Sequence, residues 1–271
     1  MSMNNAIKKV YRFRQFINDM DDNTPSYYYS KTYLPEFSFC KETWDDALKI
    51  ARYGIKNQTK IEKIMSNMAL LEHVKTKGFG MQETGLCVDV GTYLNGEPEC
   101  WIAEQFDYKP KKVVKILINC TQSWDFTPNQ IENRGAGIMS LIQMLKKQGY
   151  IIKINIYLGF DYNNKKYFCF LKVPSNPLDI QSLSYALCSP SLLRRFGFAF
   201  LEQETDRSDC QNYGYGRPIS LDEVVLSKDI IHFDGLNNEG CSYYAEGETK
   251  EYIIKLFDKF LKLNNEKREN V

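Results

Sequence analysis

Between residues 111 and 160 apolar runs and polar breaks follow one another at spacings that define three elements. Val113 to Ile118 is a short, almost wholly apolar run, the pattern of a strand covered on both faces. The chain then turns polar at Asn119-Cys120-Thr121-Gln122-Ser123. Ile131, Ile138, Leu141, Ile142 and Leu145 recur at helical spacing, and Gly149 stands just past the end, where a left-handed cap costs least. Ile151 to Tyr157 returns to a strand rich in β-branched residues. This strand–loop–helix–strand unit puts the polar loop at the carboxyl end of a buried strand, where open α/β sheets bind ligands.

The remaining pattern surrounds that unit. Ile7, Val10, Phe13, Phe16 and Ile17 are spaced to line one side of a short helix, which NDMDDNTPS ends. The run Tyr27-Tyr28-Tyr29-Ser30-Lys31-Thr32-Tyr33 either packs on the body or anchors a partner. Ser38 or Thr43 would cap a helix through Trp44, Ala47, Leu48 and Ala51 to Gly54. A second helix would carry Ile61, Ile64, Met68, Leu71 and Val74. Residues 78–110 read as a long, glycine-rich, irregular connection of the kind that is functional or forms its own small element. Asn163-Asn164 marks a hairpin turn between Ile151–Phe160 and Tyr167–Val173. Helical spacing returns over Leu178–Leu187 and Leu192–Leu201, divided at Pro190. A strand over Asp229–Phe233, ending Asp234-Gly235, precedes a last helix from Tyr252 to Leu263. The segmentation is therefore an N-terminal arm (1–38), a helical region and irregular connection (39–110), and an α/β domain (111–271).

Composition narrows the class. With 43% hydrophobic and 25% charged residues and a formal charge of +1, the chain reads as an ordinary globular protein without a global field for nucleic acid or membranes. Its 8 cysteines are scattered without a CxxC pair, which favours a reduced cytoplasmic setting over disulfides or a zinc cluster. The first residues lack the apolar core of a signal peptide, and no stretch suits a membrane span.

The motif order resembles a von Willebrand factor A-type domain over residues 111–263. In that family an Asp-x-Ser-x-Ser loop follows the first strand, a threonine comes from a later loop, and an aspartate, often followed by glycine, ends the fourth strand. Together they bind a divalent cation that a ligand carboxylate completes. Asn119, Thr121, Ser123 and Asp234 match by position or chemical similarity, while Leu178 stands where the threonine belongs. A hard cation favours carboxylate oxygen, and Asn119 in place of the leading aspartate leaves Asp234 as the anionic member. The resemblance thus implies a degenerate site: no cofactor, Mg²⁺ at most weakly through Thr121, Ser123 and Asp234, and small polar side chains turned to capping and loop amides.

A second resemblance rests on Thr43-Trp44-Asp45-Asp46-Ala47-Leu48-Lys49-Ile50-Ala51-Arg52-Tyr53-Gly54 and on Val88-Asp89-Val90-Gly91-Thr92-Tyr93-Leu94-Asn95-Gly96-Glu97-Pro98-Glu99-Cys100-Trp101. Together with the Arg134-Gly135-Ala136 helix, these blocks resemble an uncharacterised family encoded mainly by bacteriophages and prophages. That implies a viral or prophage origin, in the host cytoplasm or the virion.

Other chemistry is sparse. His73 lies in a predicted helix and His232 in an apolar strand. Cys120 follows a strand, but no phosphate loop or histidine motif accompanies it. Asp89, Glu97 and Glu99 match no metal spacing, and read as loop charges or caps. Basic residues gather at Lys109-Lys111-Lys112, Lys146-Lys147, Lys165-Lys166 and Arg194-Arg195, as a solvated face or a nucleic-acid surface. The sequence therefore predicts an α/β fold, a mostly parallel sheet with helices on both faces, preceded by a helical region and an arm. The predicted role is a non-enzymatic binding or assembly module. Its protein partner would meet Asn119, Thr121, Ser123, Trp124 and Asp234, with the surrounding Asn119–Asp125 and Asp234–Asn238. The alternative is a nucleic-acid-binding or metal-dependent nucleic-acid-processing protein.

Overall fold

The computed structural model describes residues 6–32, 40–55, 78–82, 87–95, 100–105, 113–123, 126–147, 149–175, 177–205, 215–221 and 230–235. The helices expected at 61–74 and 252–263 lie outside these residues, as do Ser38, His73, Lys109, Lys111, Lys112 and Trp124.

Ala6–Arg12 form strand β1 and Phe13–Asn23 helix α1; Tyr29–Thr32 make a single turn, α2. The expectation of one helix through Ile7 and Val10 is corrected here. Phe13, Phe16, Ile17 and Met20 keep helical spacing and are buried, whereas residues 6–12 pair along their whole length with a later strand. Helix α3, Trp44–Tyr53, begins with a capping box in which Thr43 and Asp46 satisfy each other's backbone amides, and Gly54 follows with φ +93°.

The stretch from 78 onward, expected to be irregular, forms β2 (Gly78–Gln82), β3 (Cys87–Val88), the short helix α4 (Val90–Leu94) and β4 (Trp101–Gln105). The strands make a small antiparallel sheet in the order β2-β4-β3. Asp89 caps α4 through Thr92 N at 2.8 Å, one of the two roles the sequence left open for it.

The main sheet is built from β5 (Val113–Asn119), β6 (Ile151–Tyr162), β7 (Lys165–Val173), β8 (Arg217–Pro218) and β9 (Ile230–Phe233), with β1 at its edge. Between them run α5 (Pro128–Lys147), α6 (Ile180–Cys188) and a π-helical turn (Leu192–Gly197) that continues into α7 (Phe198–Glu204). The order is β1-β7-β6-β5-β9, with β8 pairing on β6. Strands β5, β6 and β9 are parallel neighbours, as the apolar runs joined by helix-sized crossovers predict. Strand β7 returns antiparallel to β6 through Asn163-Asn164, both at positive φ, and β1 runs parallel to β7. The fold is α/β with a mixed sheet.

One face of this sheet makes the core. Ile116, Ile118, Ile154, Ile156, Leu158, Leu171 and Phe233 meet the buried sides of α1, α3, α5, α6 and the 192–204 helix. Among the described residues these helices all lie on this face, where the sequence suggests helices on both. Buried charge fastens the N-terminal region to it. Arg195 donates to Glu42 O at 3.0 and 2.7 Å and to Ser30 O at 2.9 Å. Glu202 accepts from Ser30 Oγ at 2.6 Å and from the Tyr215 hydroxyl at 2.5 Å. Arg195, grouped above with surface cations, is therefore an interior clamp.

Candidate functional site at the carboxyl end of the sheet

Strands β5 and β9 end side by side, Ile118 in register with Phe233. The polar loop after β5 therefore meets Asp234-Gly235. Asn119 is fully buried. Its Oδ1 accepts from Thr121 N at 2.9 Å and Thr121 Oγ at 2.5 Å. Its Nδ2 donates to Ile219 O at 3.0 Å and Ser220 Oγ at 3.1 Å. Thr121 Oγ also accepts from Gly159 N of β6 at 2.8 Å. These two side chains thus stitch the loop to β6 and to the segment after β8. A Cβ on Gly235 would lie 2.7 Å from both Asn119 Nδ2 and Thr121 O, so the close approach requires glycine.

Arg134 of α5 locks the arrangement. It is 4% exposed and donates to Asn119 O at 2.9 Å and Asp234 O at 2.5 Å. One guanidinium thereby bridges the last carbonyl of β5 and the first carbonyl beyond the parallel β9. Cys120 is packed beside it. Burial pushes its thiol up to about 12, against the opposing pull of Arg134, so it is protonated at neutral pH and no nucleophile.

On the other side of β5, the Tyr157 hydroxyl accepts from Leu221 N at 3.1 Å and lies 2.9 Å from His232 Nε2. Burial pushes this phenol up to about 12. His232 Nδ1 stands 3.4 Å from Asp234 Oδ1. The contacts run from a buried phenol through a half-buried imidazole to a carboxylate whose side chain is 56% exposed. His232 is thereby satisfied within its strand.

The structure brings Asn119, Thr121 and Asp234 together and separates their roles. Asn119 and Thr121 face inward, while Asp234 reaches solvent. Ser123 is half-buried, its carbonyl 3.4 Å from Arg194 Nη2. Trp124 and Asp125 lie outside the described residues; Phe126, beyond them, is buried. At the later loop, Asp179 caps α6 through Ser182 N at 3.0 Å and pairs with Arg14 at 3.0 Å, and Leu178 packs on the core. The donor set does not fit a divalent cation. The Asn119 oxygen that would replace the leading carboxylate already accepts two hydrogen bonds, and the Leu178 side chain has no oxygen to offer. Among the described residues, no group of three or more His, Cys, Asp or Glu side chains is placed to hold a metal ion.

Sequence reasoning missed Arg134, Tyr157 and the 219–221 segment. Arg134 had a signal: it sits on the apolar stripe of α5, three residues after Ile131 and four before Ile138. Tyr157 and 219–221 had none, because the sheet register alone brings them there.

Fold and site define an α/β protein whose loops after β5 and β9 are joined by buried hydrogen bonds. The chain belongs to the family described as Domain of unknown function (DUF7192), whose profile matches residues 4–261. No curated protein and no solved structure matches it. No helix among the described residues is long and apolar enough to cross a membrane.

Proposed function

We propose that this protein is a non-enzymatic binding or assembly module of a phage or prophage. Residues 111–271 follow a von Willebrand factor A-like plan, and a protein partner docks at the carboxyl end of β5 and β9. The observation that carries the reading is the pair of hydrogen bonds from Arg134 to Asn119 O and Asp234 O, which fixes two loops in one rim before any partner arrives. A rigid rim keeps the ordering cost of association low. The parallel β6-β5-β9 core and the meeting of the first loop with Asp234 support the von Willebrand likeness. The inward turn of Asn119 and Thr121 supports a degenerate cation site and recognition through Ser123, Asp234 and Trp124 instead. The blocks at 43–54 and 88–101 support the phage or prophage origin, and with it a place in the host cytoplasm or the virion.

Photo-crosslinking residues placed singly at Ser123, Asp234 and Lys165 test this in the cells that encode the protein. The reading expects one discrete protein adduct from the first two positions, lost on adding Asp234→Arg to the Ser123 variant, and none from Lys165. Equal adducts from all three positions would overturn it.

A further inference from the structure

The sheet face turned away from the helices carries an oriented stripe of cations. Paired residues of neighbouring strands project from the same face. Arg12 on β1 is paired with Lys172 on β7, and Lys172 with Asn155 on β6. One step toward the start of β6, about 6.6 Å along the strand, Lys153 is paired with Lys115 on β5. Arg12, Lys172, Lys153 and Lys115 are all exposed. Among the described residues none of these cations is in an ion pair. They form a diagonal across β1, β7, β6 and β5.

Apolar groups flank the diagonal. On one side Val10 is 58% exposed beside the half-buried Phe170; on the other Ile151 and Val113 are 41% and 47% exposed. The Phe170 ring is held 5.7 Å from Tyr157 and 6.2 Å from Phe168. The described strands place acids toward the other end of this face: Asp161, in register with Lys166 and Arg217, and Asp234 beyond β9. Since the whole chain carries a formal charge of +1, the positive charge here is segregated rather than general.

We infer that this face binds single-stranded nucleic acid, with Arg12, Lys172, Lys153 and Lys115 on successive phosphates and a base stacked on Phe170. Charge along an extended backbone, with a fixed ring beside it, is the combination single strands need. A protein partner is a poorer match, because the centres of protein interfaces are depleted of lysine. The inference is independent of the rim described above.

Fluorescence anisotropy of the full chain with a labelled oligothymidylate of about 20 nucleotides tests it. Four phosphate contacts predict a slope of log affinity on log salt of roughly −2.8, about 0.7 for each. Lys115→Gln with Lys153→Gln should bring the slope to roughly −1.4 and weaken binding about tenfold or more. Phe170→Leu should weaken binding with the slope unchanged. Lys146→Gln with Lys147→Gln, at the end of α5, should change neither. No binding at low salt, an equal loss in the Lys146/Lys147 control, or equally tight binding of polyglutamate or a blunt duplex would overturn the proposal. Should the glutamine pair fail to fold, Lys115→Arg with Lys153→Arg decides, since retained binding with the full slope supports the proposal and lost binding overturns it.

Discussion

On one face of the main sheet each strand turns aliphatic side chains to α1, α3, α5, α6 and the 192–204 helix, and even the charges there are sealed. On the other, the same strands present Lys115, Lys153, Lys172 and Arg12 to solvent, with Tyr157 and Phe168 buried under Leu221 and Ile219. The difference lies in what each cation is given as a partner. Arg134 and Arg195 lose their water and gain fixed carbonyls, so they hold the fold in one arrangement. The exposed cations are given none by the described residues, so they contribute little to stability and are free to act. In this protein buried arginine organises and exposed lysine is available for recognition.

That contrast makes ordered predictions. Arg134→Ala should be the most damaging, because it leaves a cavity and the carbonyls of Asn119 and Asp234 without a donor. A loss of about 3–5 kcal/mol in urea unfolding is expected, and a loss below about 1 kcal/mol would place the organising role elsewhere. Gly135→Ala comes next. Its Cβ would stand 2.5 Å from Cys188 Sγ and 2.6 Å from Leu187 O, so α5 must move away from α6. A cost of about 1–3 kcal/mol follows.

Thr121→Val removes the acceptor of Gly159 N and the donor to Asn119 at nearly constant volume, and should cost about 1–3 kcal/mol by thermal unfolding. Cysteine chemistry gives a sharper but smaller reading. Iodoacetamide at neutral pH should label the exposed Cys87 and spare Cys120, Cys169 and Cys188, whose thiols burial pushes up. For Cys120 the sign is fixed. Its contribution to stability is fully present below pH 9.0 and is lost as pH rises toward about 12, which an unfolding series in alkaline buffers will read. The smallest effect belongs to the exposed face, where Lys153→Ala should change stability by no more than about 0.5 kcal/mol. A larger loss there would erase the contrast between the faces.

Several elements were legible because their signals are local. The apolar stripe from Ile131 to Leu145 specified α5, and Thr43, one of two cap candidates, marks the start of α3. Asn163-Asn164 specified the hairpin, since both residues tolerate positive φ. Pro190 divided the 178–201 stretch where α6 ends. By contrast, the sequence misleads at β1: Ile7, Val10, Phe13 and Ile17 keep helical spacing, yet pairing with β7 makes 6–12 a strand with Ile7 and Val10 on opposite faces. The stretch from 78 onward looked irregular because β2, β3 and β4 are each too short to declare themselves without a partner strand. Of the candidate site, the structure brings Asn119, Thr121 and Asp234 close together, but which of them face inward was not readable from the sequence.

By itself, then, the sequence determined the strand–loop–helix–strand unit, the parallel neighbours β5, β6 and β9, and the meeting of the loop at 119–123 with the end of β9. The unit follows from periodicity and turn chemistry carried within a few dozen residues, the parallel neighbours from apolar runs joined by helix-sized crossovers, and the meeting of the loop with Asp234 from the von Willebrand resemblance. Tertiary structure alone decided that β1 joins the sheet, that Arg195 points inward, which carbonyls Arg134 meets, and which groups satisfy Asn119 and Thr121. It also gathered Arg12, Lys172, Lys153 and Lys115 into one stripe. The stripe depends on strand register between residues as far apart as 12 and 172, and a one-residue slip of a strand would send its side chains to the opposite face.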